Sequence, residues 1–191
     1  MRILFTALIA AVLAWAPECW AQGTVPGQYM IPLGFCQITT ALSSAVKLSS
    51  CTWATFTGTG SGTSMKATSV AGVVAIGETI SGTGVPSGTT ITGQTSGAPG
   101  GVGTYTTSLA TTSSSQTISV SGTPTLPSLM LTLQAETAGV RYRDDGVAPT
   151  ASVGALIVNG FNPMLYTGTL ANIQFIAASG SPVLDIGMYR Q

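Results

Sequence analysis

Val140-Arg141-Tyr142-Arg143-Asp144-Asp145-Gly146 holds two of the six basic and two of the six acidic residues of a 191-residue chain. If it is extended, Val140 and Tyr142 face one way and Arg141 and Arg143 the other, because successive strand side chains alternate across the sheet. Asp144-Asp145-Gly146 then supplies a tight turn, with glycine free to take positive φ. A strand running into a turn, followed by the small, uncharged Ala148-Pro149-Thr150-Ala151, points to a β-rich protein.

The same periodicity recurs outward from there. Leu129, Leu131 and Leu133 share one face of Leu129–Glu136, and Leu184, Ile186 and Met188 share one face of the last segment. Ala155-Leu156-Ile157-Val158, a turn at Asn159-Gly160, Met164-Leu165-Tyr166 and Ile173-Gln174-Phe175-Ile176-Ala177 lie between. Upstream, an extended segment reaches a turn at Pro32 to Gly34. Cys36-Gln37-Ile38-Thr39 and Ala45-Val46-Lys47-Leu48 follow as strands, with Val46 and Leu48 inward. Beyond the first 21 residues no helix cap precedes a 3.6-residue apolar stripe. The fold class expected is all-β: an antiparallel β-sandwich or jelly-roll-like domain.

Composition narrows the function. Charged residues make up 6% of the chain, against about 25% in an average soluble domain. Net charge is zero, so nothing steers the chain to nucleic acid or to an anionic membrane. A sparsely charged surface offers little repulsion between copies and suits an assembly or an extracellular setting. The chain has no histidine, which removes the commonest general base and most zinc sites. No catalytic residue, cofactor or metal is expected.

Arg2 followed by the apolar run Ile3 to Ala16 has the layout of a secretory signal, a signal-like N-terminal helix too short for a comfortable span of about 20 residues. Cleavage after Ala21 would start the mature chain at Gln22, with no membrane contact thereafter; a start at Met30 is the alternative. Export would leave Cys36 and Cys51 as an even pair, which favours a disulfide between them over two separate buried thiols.

Between residues 58 and 123, Gly, Ser and Thr dominate and only Lys66 and Glu78 carry charge. Short β-branched runs recur between turn signals: Met65–Val70, Glu78–Ser81, Thr89–Thr92, Gly103–Thr107 and Gln116–Val120. This reads as a small sheet rather than a linker, with Met65, Val74, Ile76, Ile80, Val85, Ile91, Tyr105, Leu109, Ile118 and Val120 inward. Such a core is thin and should lean on a neighbour.

The stretches Ile76-Gly77-Glu78-Thr79-Ile80-Ser81-Gly82-Thr83-Gly84-Val85-Pro86-Ser87-Gly88-Thr89-Thr90-Ile91-Thr92 and Gly101-Val102-Gly103-Thr104-Tyr105-Thr106 resemble a small β module of phage virion proteins and some bacterial surface proteins. The flanking sequence resembles a family of short, β-rich phage particle proteins. Its marks are Ile31-Pro32-Leu33-Gly34, Ala135-Glu136, the Val140–Gly146 stretch, Ala148-Pro149-Thr150-Ala151, Ile173-Gln174-Phe175-Ile176 and Tyr189-Arg190. Together the resemblances imply a non-enzymatic virion structural or decoration protein. Residues 22–57 and 124–191 would form one split domain, 58–123 a display module inserted in it, and 1–21 a leader. The partners implied are other virion or surface proteins and further copies in a homo-oligomer. The leader and the cysteine pair fit the alternative of a secreted module that binds glycans or a cell surface. The location is accordingly a virion or the space outside the cytoplasm.

Several residues admit a sharper reading beside a plainer one. Asp144-Asp145-Gly146, with Asp185 or a backbone carbonyl added, could hold calcium, although a turn needs nothing more. Glu136 and Asp185 could be a hydrolase acid pair, but as cross-strand partners of Arg141 and Arg143 they would stabilise by a few tenths to about 1 kcal/mol. Trp53 and Phe56 could stack on sugar, or pack the joint between the two units. Arg141, Arg143, Asp144, Asp145 and Trp53 are the candidate surface and binding residues.

Overall fold

The computed structural model describes residues 30–126 and 128–191. The signal-like segment therefore lies outside the described residues. Within them the chain is all-β, with antiparallel pairing in every sheet. The strands in chain order are β1 (Ile31–Thr39), β2 (Val46–Lys47), β3 (Thr52–Ala71), β4 (Thr79–Ser81), β5 (Ile91–Gly97), β6 (Gly103–Thr111) and β7 (Gln116–Ser121). Then come β8 (Leu129–Glu136), β9 (Val140–Arg143), β10 (Ala155–Ile157), β11 (Met164–Tyr166), β12 (Gln174–Ala177) and β13 (Val183–Arg190). Two single 3-10 turns, Leu48–Ser50 and Leu170–Asn172, are the only helical elements among the described residues.

Two sheets have four strands each, ordered β1-β13-β8-β11 and β10-β9-β12-β2. Their apolar faces meet in one core. Leu131, Leu133, Leu184, Ile186 and Met188 come from the first sheet, and Val140, Ile157 and Phe175 from the second. The period-2 pattern of β8 and β13 sets this arrangement, since it gathers Leu131, Leu133 and Ala135 on one face of β8 and Leu184, Ile186 and Met188 on one face of β13. The geometry is consistent with a β-sandwich.

The third sheet is ordered β4-β7-β3-β6-β5 and has its own core of Phe56, Met65, Ile80, Ile91, Tyr105, Ile118 and Val120. It begins at Thr52, upstream of the composition change at Gly58. A straight strand of β3's length would run to about 65 Å. Instead β3 folds back on itself. The Thr68 hydroxyl donates to the Thr57 carbonyl, and Gly62 at the bend has φ +58°. The first arm pairs with β7 through Thr52–Gly58, and the second with β6 through Gly62–Ala67. A residue with a side chain would be strained at Gly62's φ, so glycine fixes where the hairpin turns.

Several expectations need correction. Pro32 to Gly34 is a bulge inside β1, not a turn, because β1 stays paired with β13 on both sides of it. Only Val46–Lys47 of the expected second strand pairs, and Leu48 begins a 3-10 turn, though its side chain is buried. Ile76 and Leu109 point outward, at 46% and 43% exposure, while Thr107 and Thr111 take buried places. β6 loses its pairing with β3 between Thr106 and Thr111, where residues 107–110 bulge and the alternation slips. Ile76 lies on a turn whose carbonyl accepts the Thr125 N–H, which leaves its side chain outside.

Candidate functional site

The charged stretch ends up as scaffolding. Strand β9 lies between β10 and β12, with Arg141 opposite Leu156 and Ile176. The Arg141 guanidinium reaches across the loop that follows β9. Its Nε donates to the Ala151 carbonyl at 2.9 Å and its Nη1 to the Gly154 carbonyl at 2.8 Å. Arg143 makes a two-pronged ion pair with Asp145, whose Oδ1 also accepts the Val147 N–H at 3.1 Å. Those donors favour the ionised form and hold the Asp145 carboxyl down at about 2; the pairing in turn raises Arg143. Asp144 Oδ2 accepts the Tyr166 hydroxyl at 2.7 Å, and the Tyr142 and Tyr166 rings meet edge to face at 5.7 Å. Burial first, and then the Asp144 carboxylate, push the Tyr166 phenol up. Gln174 donates to the Gly146 carbonyl at 3.3 Å. The turn is thus closed by its own neighbours, and the carboxylates accept bonds a calcium ion would need. Among the described residues no group of three metal-ligating side chains converges.

Glu136 and Asp185 do not pair with Arg141 and Arg143. They sit on the outer face of the β1-β13-β8-β11 sheet, where Glu136 is opposite Val183 and Asp185 is opposite Gln134. A hydrogen bond shared with Asp185, and the charge of that neighbour, raise the exposed Glu136 carboxyl. The two acids are therefore adjacent on an open face rather than across a cleft. Glycoside hydrolysis needs its carboxylates on both sides of a sugar.

Trp53 is 3% exposed and cannot stack on a ligand. Its indole N–H donates to the Gly122 carbonyl at 2.6 Å. Cys51 and Trp53 belong to the core of the paired four-stranded sheets, whereas Ala54 and Phe56 belong to the core of the third sheet. Phe56 is 1% exposed and stacks on Tyr105 at 6.4 Å. The Cys36–Cys51 disulfide, with Cα atoms 5.6 Å apart, ties β1 to the start of β3. Here the plainer reading holds: these aromatics pack the joint.

A different aromatic faces solvent. Phe35 is 66% exposed and sits opposite Gly187 on the outer face of the first sheet. Its ring meets Tyr189 edge to face, with centroids 6.0 Å apart. A Cβ at Gly187 would lie 2.9 Å from both rings, so the absence of a side chain is what lets them close over the strand. Gln37, Asp185, Gln134 and Glu136 continue along the same face. Phe35 also borders an open groove of about 500 Å³ between β1 and β3, floored by Gly34, Trp53 and Gly72. An aromatic face flanked by amides and carboxylates can stack on a ring and accept hydroxyl donors. The available sequence signal was parity: Phe35 shares its face with Gln37 and Thr39, not with the buried Ile38.

Glu78 is the other residue that type alone did not single out. It is 1% exposed, with Oε2 accepting the Ala75 N–H and Oε1 unpartnered among the described residues. Burial pushes its carboxyl up to about 7. Among the described residues no helix is long and apolar enough to cross a membrane. No protein-family model matches this chain, nor does any curated protein or solved structure.

Proposed function

We propose that this chain is a non-enzymatic structural protein of the virion type, a decoration or fibre-like subunit that displays a small β module on a β-sandwich. In this reading, residues 22–53 and 124–191 make up the carrier domain and residues 54–123 the module, since Ala54 and Phe56 already lie in the third sheet's core. The joint between the two cores is the observation that carries it. Cys51 and Trp53 are buried on one side of it, and Ala54 and Phe56 on the other. A displayed unit must keep its orientation under load. One continuous backbone buried in both cores, and bridged by Cys36–Cys51, supplies that stiffness where a Gly/Ser linker would not. Mass spectrometry of purified particles tests the proposal. The chain should be present at a fixed copy number; a chain found only free in solution would overturn it.

A secreted module that binds glycans or cell surfaces is a second reading, favoured by the exposed Phe35–Tyr189 pair beside Gln37 and Asp185. A disulfide fits an oxidising compartment. A glycan array of the native chain against Phe35→Ala addresses it. Binding that Phe35→Ala abolishes supports this reading, and an array without binding removes it.

A further inference from the structure

The chain has three asparagines, Asn159, Asn162 and Asn172. All three are exposed, so the residue that follows each one decides what its side-chain amide can do. An asparagine turns into an acid unaided when the next backbone nitrogen attacks its Cγ and closes a five-membered imide. The step is intramolecular, so its rate depends on how freely that nitrogen can approach. After Asn162 the nitrogen belongs to Pro163 and carries no hydrogen, so no imide can close on it. After Asn172 it belongs to Ile173, a stiff β-branched residue that is 1% exposed and fixed in the core at the end of the Leu170–Asn172 turn.

After Asn159 it belongs to Gly160, which presents neither obstacle. Residues 158–163 join β10 to β11, and Gly160 turns that loop with φ +76°. A Cβ added at Gly160 would meet nothing within 4 Å, so the backbone there stands clear of the rest of the fold. No backbone carbonyl among the described residues holds the Gly160 N–H. Asp145-Gly146 is the other acid-or-amide residue followed by glycine, and it supplies the contrast. Its carboxylate is engaged by Arg143 and by the Val147 N–H, and an ionised carboxylate is a poor target for a nitrogen nucleophile.

We infer that Asn159 is a site of self-modification, at which the Gly160 backbone nitrogen converts the side-chain amide into a carboxylate. The bond from the Gly160 nitrogen to Cγ forms as the Cγ–Nδ2 bond breaks, and the Gly160 proton leaves with the amide as ammonia. Water then opens the imide. Breaking the new bond to Cγ gives aspartate. Breaking the original peptide bond instead gives isoaspartate, with the main chain running through Cβ and Cγ. Water is the only co-reactant, and nothing is oxidised or reduced. The new carboxyl ionises at neutral pH and falls within Gly146 to Leu184, a stretch without Asp, Glu, Lys or Arg. A chain of zero net charge thereby becomes singly negative, with its charge between the exposed Val158 and Phe161. The isoaspartate form also lengthens the backbone two residues beyond Ile157, where β10 ends its pairing with β9. The surface beside β10 thus changes with the age of the molecule, whichever functional reading holds.

Incubation of the native chain in mildly alkaline buffer tests the inference. Isoelectric focusing should show an acidic form that grows with time. Peptide mass spectrometry should place the amide-to-acid mass gain at Asn159, with Asn162 and Asn172 still amides. Gly160→Ala should slow the conversion by at least about tenfold, because a side chain at that position obstructs the attack. Asn159→Gln would have to close a six-membered ring and should yield no acidic form over the same period. Both positions are exposed, so circular dichroism of the variants in the same buffer should match the native chain. The inference is overturned if Asn159 remains an amide, if Asn172 converts as fast, or if Gly160→Ala converts at the native rate.

Discussion

Glu78 closes on Ala75: its Oε2 accepts the Ala75 N–H at 2.7 Å, and its equally buried Oε1 has no partner among the described residues. The bond holds a turn on which much of the third sheet depends. Within it the Ile76 carbonyl receives the Thr125 N–H, and the Gly77 N–H donates to the Ile91 carbonyl. Burial raises the carboxyl from 4.5 to about 7, so the folded chain holds its proton more tightly than the unfolded chain. The consequence for stability has a definite sign. Stability is fully present below about pH 4.5 and falls as pH rises through about 7, by roughly 3 kcal/mol in all. Glu78→Gln keeps an acceptor for Ala75 and cannot ionise. It should stabilise the protein at pH 8 and change little at pH 4, as urea midpoints at the two values will show. An equal effect at both would place the charge in water.

Asp145 carries the opposite sign. Arg143 and the Val147 N–H hold it at about 2, so its contribution is present above the ordinary 3.8 and is lost as pH falls through about 2. Carboxyl-carbon NMR should find Asp145 still ionised at pH 3, and Arg143→Ala should return its titration to the usual carboxylate range. The side chains are exposed, so the readout is the titration itself and not a melting temperature.

The Cys36–Cys51 bridge closes a loop of 15 residues, which constrains the unfolded chain by roughly 3 kcal/mol in the entropy model. Reduction, or Cys36→Ser with Cys51→Ala, should lower the urea midpoint accordingly. The β1–β3 contact should loosen first, visible as faster amide exchange at residues 33–36 and 52–55. A reduced protein as stable as the oxidised one would show that packing around the buried Cys51 already holds the joint.

Alternation makes much of the fold legible in the sequence itself. β8 and β13 bury the faces their alternation announces, Leu131, Leu133 and Ala135 on one and Leu184, Ile186 and Met188 on the other, although Met130, out of step with them, is buried as well. The hairpin arms of β3 were not legible. Gly58-Thr59-Gly60-Ser61-Gly62-Thr63 has no apolar alternation, and it is the bend of the hairpin, with only Gly58 paired to β7 and only Gly62 to β6. Matching charges by sign misplaced the arginine partners, because Arg141 spends its donors on the Ala151 and Gly154 carbonyls and a backbone carbonyl leaves no trace in composition. Residue type alone leaves Trp53 open to a sugar-stacking reading. The irregular pairing between Thr52 and Ala54 buries Trp53 and Ala54 in succession, so no alternation in the sequence marks Trp53 as inward.

Thr137 turns the chain between β8 and β9 with φ +65°, where the Ala138 N–H donates back to the Glu136 carbonyl at 2.8 Å. A β-branched residue is poorly suited to that region, at a cost of order 1 kcal/mol. Thr137→Gly should raise the urea midpoint by the equivalent of about 1 kcal/mol, less a few tenths for the freer unfolded chain. A loss of stability instead would mean that the threonine side chain holds the turn.

Trp53 couples the two cores, so its substitution should report on both. Trp53→Ala removes a side chain that is 3% exposed and bonded to the Gly122 carbonyl, and should cost about 3–5 kcal/mol. Trp53→Phe keeps most of the packing but leaves that carbonyl without the indole donor, for a loss of about 1–3 kcal/mol. If the joint is rigid, unfolding of the native chain is a single transition, because neither core can open without moving the β3 strand that both bury. Trp53→Phe should weaken that coupling and split the calorimetric transition in two, with the thinner third-sheet core melting first. Two separate transitions already present in the native protein would show that the shared strand does not transmit, and the stiff joint on which display depends would go with it.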